Sequence, residues 1–96
     1  MKEVLERAFK LVKMDMSIPL RLMEEGPLPK EEIVGGDEAT DSLLFILKGW
    51  HYVREENGII HLNIDLKELA KERLRERLEW TEEQDEKIRT MIEEIG

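Results

Sequence analysis

The chain has 96 residues, 23 acidic against 15 basic side chains, a net charge of −8 and no cysteine. That length allows one modest core and no deep cleft between lobes, so a single domain over residues 1–96 is expected. The charge disfavours nonspecific attraction to nucleic acid or to an anionic membrane, and the lack of thiols excludes disulfide frameworks and the zinc-finger and zinc-ribbon classes.

The first helix is expected over residues 2 to 15, where Val4, Leu5, Ala8, Phe9, Leu11 and Val12 fall mostly at helical spacing. Pro19 suits the first turn of a second helix, with Ser17 or Ile18 as its cap, and Gly26 followed by Pro27 stops it. Pro29 opens a very short third helix through Lys30, Glu31, Glu32 and Ile33, which Gly35 and Gly36 terminate. A fourth follows over residues 37 to 48, capped by Asp37 or Thr40. Its run of Leu43, Leu44, Phe45, Ile46 and Leu47 is too apolar for a segment facing only solvent.

Residues 50 to 64 place aromatic and β-branched side chains around Asn57 and Gly58, a hairpin signal with two registers. A two-residue turn groups His51 and Val53 with Ile60, Leu62 and Ile64. A type I turn with Gly58 in a bulge groups Trp50 and Tyr52 with Leu62 and Ile64 instead, and the bulged register is preferred because it gathers both large rings on the buried side. Asp65, Leu66, Lys67 and Glu68 match a capping box, so a helix is expected from Leu66 to about Glu79 with Leu66, Leu69, Ala70, Leu74 and Leu78 inward. Thr81, Glu82, Glu83 and Gln84 repeat the device, and the last helix carries Ile88, Met91, Ile92 and Ile95 as a narrow apolar seam. That seam either folds back on the first helix, with Trp80 at the corner, or pairs with its symmetry mate as a homodimer interface, the preferred expectation.

Residues 20 to 62, through Leu22, Met23, Glu24, Glu25, Gly26, Pro27 and Leu28, then Leu43 to Gly49, then Asn57 and Gly58, resemble the winged helix-turn-helix of small regulators of the MarR and ArsR types. They are equally similar to the winged-helix dimerisation domain preceding the catalytic domain of small-molecule O-methyltransferases. The resemblance implies an α+β, mostly α fold: a winged helix at residues 17–64 with one β-hairpin wing, a helical extension at 1–16, and two additional C-terminal helices in 65–96. In such regulators the helix at residues 37 to 48 lies in the major groove.

The polar positions of that helix depart from this role. Glu38, Asp41, Phe45 and Lys48 fall at i, i+3, i+7 and i+10, one outward stripe with two carboxylates and one lysine where a DNA reader needs arginine, lysine, asparagine or glutamine. Residues 24 to 47 hold seven acids against Lys30 alone. Two readings result: a solvated acidic face with Phe45 tucked inward, or Phe45 as an aromatic anchor for a basic protein partner. A DNA-binding alternative uses Lys48, Arg54 near the wing tip, and Lys10 and Lys13 of the first helix as phosphate contacts, against pairing of Glu3 with Arg7 and Glu6 with Lys10 at four-residue spacing.

His51 and His61 are the only histidines and belong to no spaced ligand motif, so no metal or other cofactor is expected. Adjacent carboxylates such as Glu24 with Glu25, Glu31 with Glu32, and Glu82 with Glu83 do not converge on a pocket, and no nucleophile elbow, phosphate loop or dinucleotide fingerprint occurs, so an enzyme is not expected. No apolar run reaches membrane-spanning length, so a cytoplasmic protein without a membrane partner is expected. Charged residues at 40%, with one Gln and two Asn, match the composition of thermophile proteins. The functional expectation is a non-catalytic winged-helix interaction module in transcription regulation, with a DNA-binding regulator as the alternative.

Overall fold

Left-handed turns and short apolar stripes divide the chain into short elements. The computed structural model describes residues 1–80 and 85–96, with the side chains of Trp80 and Asp85 outside the description. The architecture is α+β and mostly helical, with a small antiparallel sheet. Backbone contacts group the residues into two compact units, Ser17–Ile64 and the pairing of Met1–Met16 with Asp65–Gly96.

In the Ser17–Ile64 unit, α2 (Ser17–Glu25) carries Pro19 in its first turn and ends where the Gly26 N–H donates to Leu22 O at 2.8 Å, Gly26 having a φ of +85°. A two-residue strand, β1 (Leu28–Pro29), follows, an element the sequence reading did not anticipate. Pro29 has no N–H to donate and sits where an edge strand tolerates it. The Lys30 N–H donates to Gly58 O at 2.9 Å and opens α3 (Lys30–Val34), which Gly35 closes at φ +56°. Asp37 then caps α4 (Glu38–Gly49): its Oδ1 accepts from the Ala39 N–H at 3.4 Å and its Oδ2 from the Thr40 hydroxyl at 2.7 Å.

Strands β2 (Val53–Glu56) and β3 (Ile59–Leu62) complete a sheet of order β1-β3-β2. Their register pairs Glu56 with Ile59 and Val53 with Leu62, which makes Asn57 and Gly58 a two-residue turn and corrects the bulged register. The physical reason lies in the backbone. Asn57 and Gly58 both have positive φ, +53° and +76°, the type I′ turn whose twist matches that of the flanking strands. Val53 and Ile60 are therefore the buried pair of the hairpin, and they join Ile18, Leu20, Leu22, Ile33, Leu44 and Leu47 among the buried residues of this unit. Burying each of these larger aliphatic side chains contributes roughly 1.5–3 kcal/mol before entropy is counted.

The second unit is a set of three mutually contacting helices, α1 (Lys2–Leu11), α5 (Leu66–Trp80) and α6 (Asp85–Ile95). The first is shorter than its periodicity suggests. Lys13 adopts φ +59°, its N–H donates to Lys10 O at 3.1 Å and the Met14 N–H reaches Phe9 O at 2.9 Å, a Schellman ending that stops the helix. Asp65 caps α5, its Oδ1 accepting from the N–H groups of Lys67 at 2.9 Å and Glu68 at 3.3 Å. Leu5, Ala8 and Phe9 of α1, Leu66, Leu69, Ala70 and Leu74 of α5, and Ile88, Met91 and Ile95 of α6 are buried.

The α6 seam is thus covered inside the chain by α1 and α5, the fold-back arrangement. Ile92 alone of the four is half-buried. Arg7 Nη2 lies 3.1 Å from Glu94 Oε2 and Lys2 Nζ 3.8 Å from Glu6 Oε1, in place of the expected pairs of Arg7 with Glu3 and of Lys10 with Glu6. The capping device at Thr81, Glu82, Glu83 and Gln84 and the Trp80 corner lie outside the described residues. Among the described residues no helix is long and apolar enough to cross a membrane.

Candidate partner-binding surface

The inward face of α4 is narrow. Leu44 and Leu47, three residues apart, are buried, with Thr40, Leu43 and Lys48 half-buried beside them. At 100° per residue, an apolar run of five cannot fit on one such stripe. Phe45 and Ile46 rotate out of it: Phe45 is 75% exposed and Ile46 45%.

The exit from the helix adds a third apolar side chain. Trp50 is the C-cap, His51 takes φ +64°, the His51 N–H donates to Lys48 O and the Tyr52 N–H to Leu47 O, both at 3.0 Å. This Schellman ending consumes Trp50 and His51 before β2 begins, so Trp50 is not a strand residue and stands 60% exposed. Its ring meets the half-buried Tyr52 edge-on, with centroids 5.8 Å apart and planes at 66°. Asn63 holds the turn, its side-chain N–H donating to His51 O at 3.0 Å and its backbone N–H to Tyr52 O at 3.0 Å. Of the expected stripe, Glu38, Asp41 and Phe45 are exposed, whereas Lys48 is half-buried and turned onto Glu55. Ile46 and Trp50, four residues apart at the C-terminal end, are the exposed apolar residues that sequence reasoning missed.

The cations assigned to partner or nucleic-acid contact are already engaged or lie elsewhere. Lys48 Nζ donates to Glu55 Oε1 at 2.9 Å across α4 and β2, and this hydrogen bond is the largest cause holding the Glu55 carboxyl below its usual range; desolvation opposes it, and the Lys48 and Lys30 charges add lesser lowering effects. Arg54 Nε donates to Glu56 Oε1 at 3.0 Å, while its Nη1 reaches Leu62 O at 3.4 Å and Asn63 Oδ1 at 3.3 Å. Lys10 and Lys13 are exposed but belong to the three-helix unit, where Lys13 forms the left-handed helix ending.

The histidines do not share a strand face. His51 sits in the helix exit, whereas His61 lies opposite Arg54 in β3 with Nε2 3.9 Å from Glu56 Oε2. Among the described residues no group of three or more His, Asp or Glu side chains is placed to hold a metal ion. The chemistry this surface offers is therefore burial of aromatic and aliphatic area beside carboxylates. No family model, curated protein or solved structure matches the chain.

Proposed function

We propose that the Ser17–Ile64 unit is a winged-helix interaction module, acting in the cytoplasm without catalysis as part of transcription regulation and binding a protein partner through the exposed face of α4. The winged-helix assignment rests on element order: helix, strand, two helices and a hairpin, with the first strand paired to the last. The observation that carries the protein-binding reading is the exposure of Phe45, Ile46 and Trp50 together at one end of one helix. Single exposed apolar residues are ordinary, but neighbouring ones that include a tryptophan and a phenylalanine match the anchors of interfaces.

The DNA-binding alternative is weakened by charge. On the helix that a winged-helix regulator inserts into the groove, Glu38 and Asp41 face outward, and Lys48 and Arg54 are bonded to Glu55 and Glu56.

The test is affinity purification from the source organism with the wild type, Phe45→Ala and Trp50→Ala. A specific protein is expected with the wild type and lost with both variants, whose melting temperatures stay within about 4 °C of wild type, as for surface substitutions. Partner capture unchanged by either substitution rejects the reading. Retardation of duplex DNA by micromolar protein at low salt restores the alternative.

A further inference from the structure

We infer that the outward stripe of α4 takes a cationic amphipathic helix of a partner protein, apolar on Phe45 and basic on Asp41 and Glu38. The inference rests on the protein-binding reading above and names the chemistry of the occupant. The face is polarised along its axis. Phe45 lies toward its C-terminal end, with Asp41 one turn and Glu38 two turns toward the N-terminus on the same stripe, about 6 and 10 Å from Phe45 along the helix, whereas Ile46 and Trp50 lie further round the axis. Asp37 adds a third carboxylate, engaged at the cap, and Glu31 of α3 is exposed as well, whereas Glu32 lies 3.6 Å from the Arg21 guanidinium.

No cation of α4 competes for these acids, because Lys48 is the only basic residue of the helix and its ammonium is bonded to Glu55. Glu38 and Asp41 form no ion pair or side-chain hydrogen bond among the described residues, although Asp41 donates its backbone N–H to Asp37 O at 3.0 Å. A partner segment carrying lysine or arginine one or two turns from an apolar residue satisfies both halves of the face at once.

The same charges argue against a second copy of this chain as the occupant. If two α4 helices cross antiparallel at Phe45, Asp41 of each meets the region of Gly49 in the other, the negative end of the helix dipole. If they pair in parallel, Asp41 meets Asp41 and Glu38 meets Glu38. Either two-fold arrangement sets negative charge against negative charge.

The test uses the full chain and two labelled synthetic helical peptides, one with leucine on one face and lysine on the other, the second with glutamate in place of lysine, followed by fluorescence anisotropy. The lysine peptide is expected to bind and the glutamate peptide not, with binding weakened by salt. Phe45→Ala and the double variant Glu38→Lys/Asp41→Lys should each weaken binding about tenfold or more, while Glu72→Lys/Glu93→Lys, an equal change of net charge at exposed positions of the three-helix unit, stays within about twofold. The glutamate peptide should gain affinity for Glu38→Lys/Asp41→Lys.

Equal binding of both peptides, with loss on Phe45→Ala, overturns the cationic occupant and leaves Phe45 docking intact. Equal loss from the two charge-reversed variants, or no binding of either peptide, also overturns it. A concentration-dependent rise in mass by light scattering that Phe45→Ala abolishes makes the second copy the occupant and overturns it too. Lysine-peptide binding that survives Phe45→Ala removes the cationic occupant and the Phe45 docking reading together.

Discussion

Neighbouring residues on α4 have opposite fates. Leu44 is 1% exposed and Phe45 75%, so Leu44→Ala should cost about 2–5 kcal/mol by denaturant titration while Phe45→Ala stays within about 0.5 kcal/mol. Sequence spacing placed Phe45 on the outward stripe but left its burial open, because a run of five apolar residues satisfies either reading. Trp50 was illegible for a different reason. Where a helix ends on a left-handed residue it is usually glycine, and Gly49 marks such a stop in the sequence, yet the residue that takes the left-handed conformation is His51. A histidine there bears a steric cost of about 1–2 kcal/mol that glycine avoids, offset in part by glycine's greater unfolded freedom. His51→Gly should accordingly raise stability by about 0.5–1 kcal/mol, measured as the shift in denaturation midpoint.

At the scale of elements, caps and turns were legible because they are local. Asp37, Asp65, Gly35 and the turn at Asn57 and Gly58 each act within a few residues. The strand β1 was not, since two residues including a proline carry no periodicity and their partners, Ile59 and Ile60, come only after α3, α4 and β2. The hairpin register differs from the expected bulge because the left-handed preference of Asn57 and Gly58 outweighs the gathering of Trp50 and Tyr52 on the buried side. Open space surrounds the position of a Cβ on Gly58, so Gly58→Ala is expected to lose about 1 kcal/mol through backbone strain alone, read from the melting curve.

The α4 cap carries a pH dependence. The Thr40 hydroxyl, followed by the Ala39 N–H, stabilises the Asp37 carboxylate and lowers its pKa against a weaker opposing desolvation. A folded-state value below the unfolded one means that the contribution is complete above about pH 4 and disappears as pH falls through the lower, folded value. Asp37→Asn, which keeps a capping oxygen, should flatten that part of the acid limb in circular dichroism melts from pH 2 to 5.

For the whole molecule, the two-unit grouping assigns the α6 seam to the interior. Ile88 is fully buried, so Ile88→Ala should cost about 2–4 kcal/mol while leaving the mass by light scattering unchanged. A narrow apolar seam reads the same in sequence whether its cover is a symmetry mate or another helix of the same chain, and only the contacts with α1 and α5 distinguish the two. Those contacts impose an order on synthesis. The helices α5 and α6 follow the whole of Ser17–Ile64, so a nascent chain can complete its inserted unit while Leu5, Ala8 and Phe9 still lack their partners. At about 5–20 residues per second, the ribosome delays the cover for α1 by several seconds. The apolar face of α1 thus waits for its cover until α5 and α6 emerge, a window in which a chaperone can engage it.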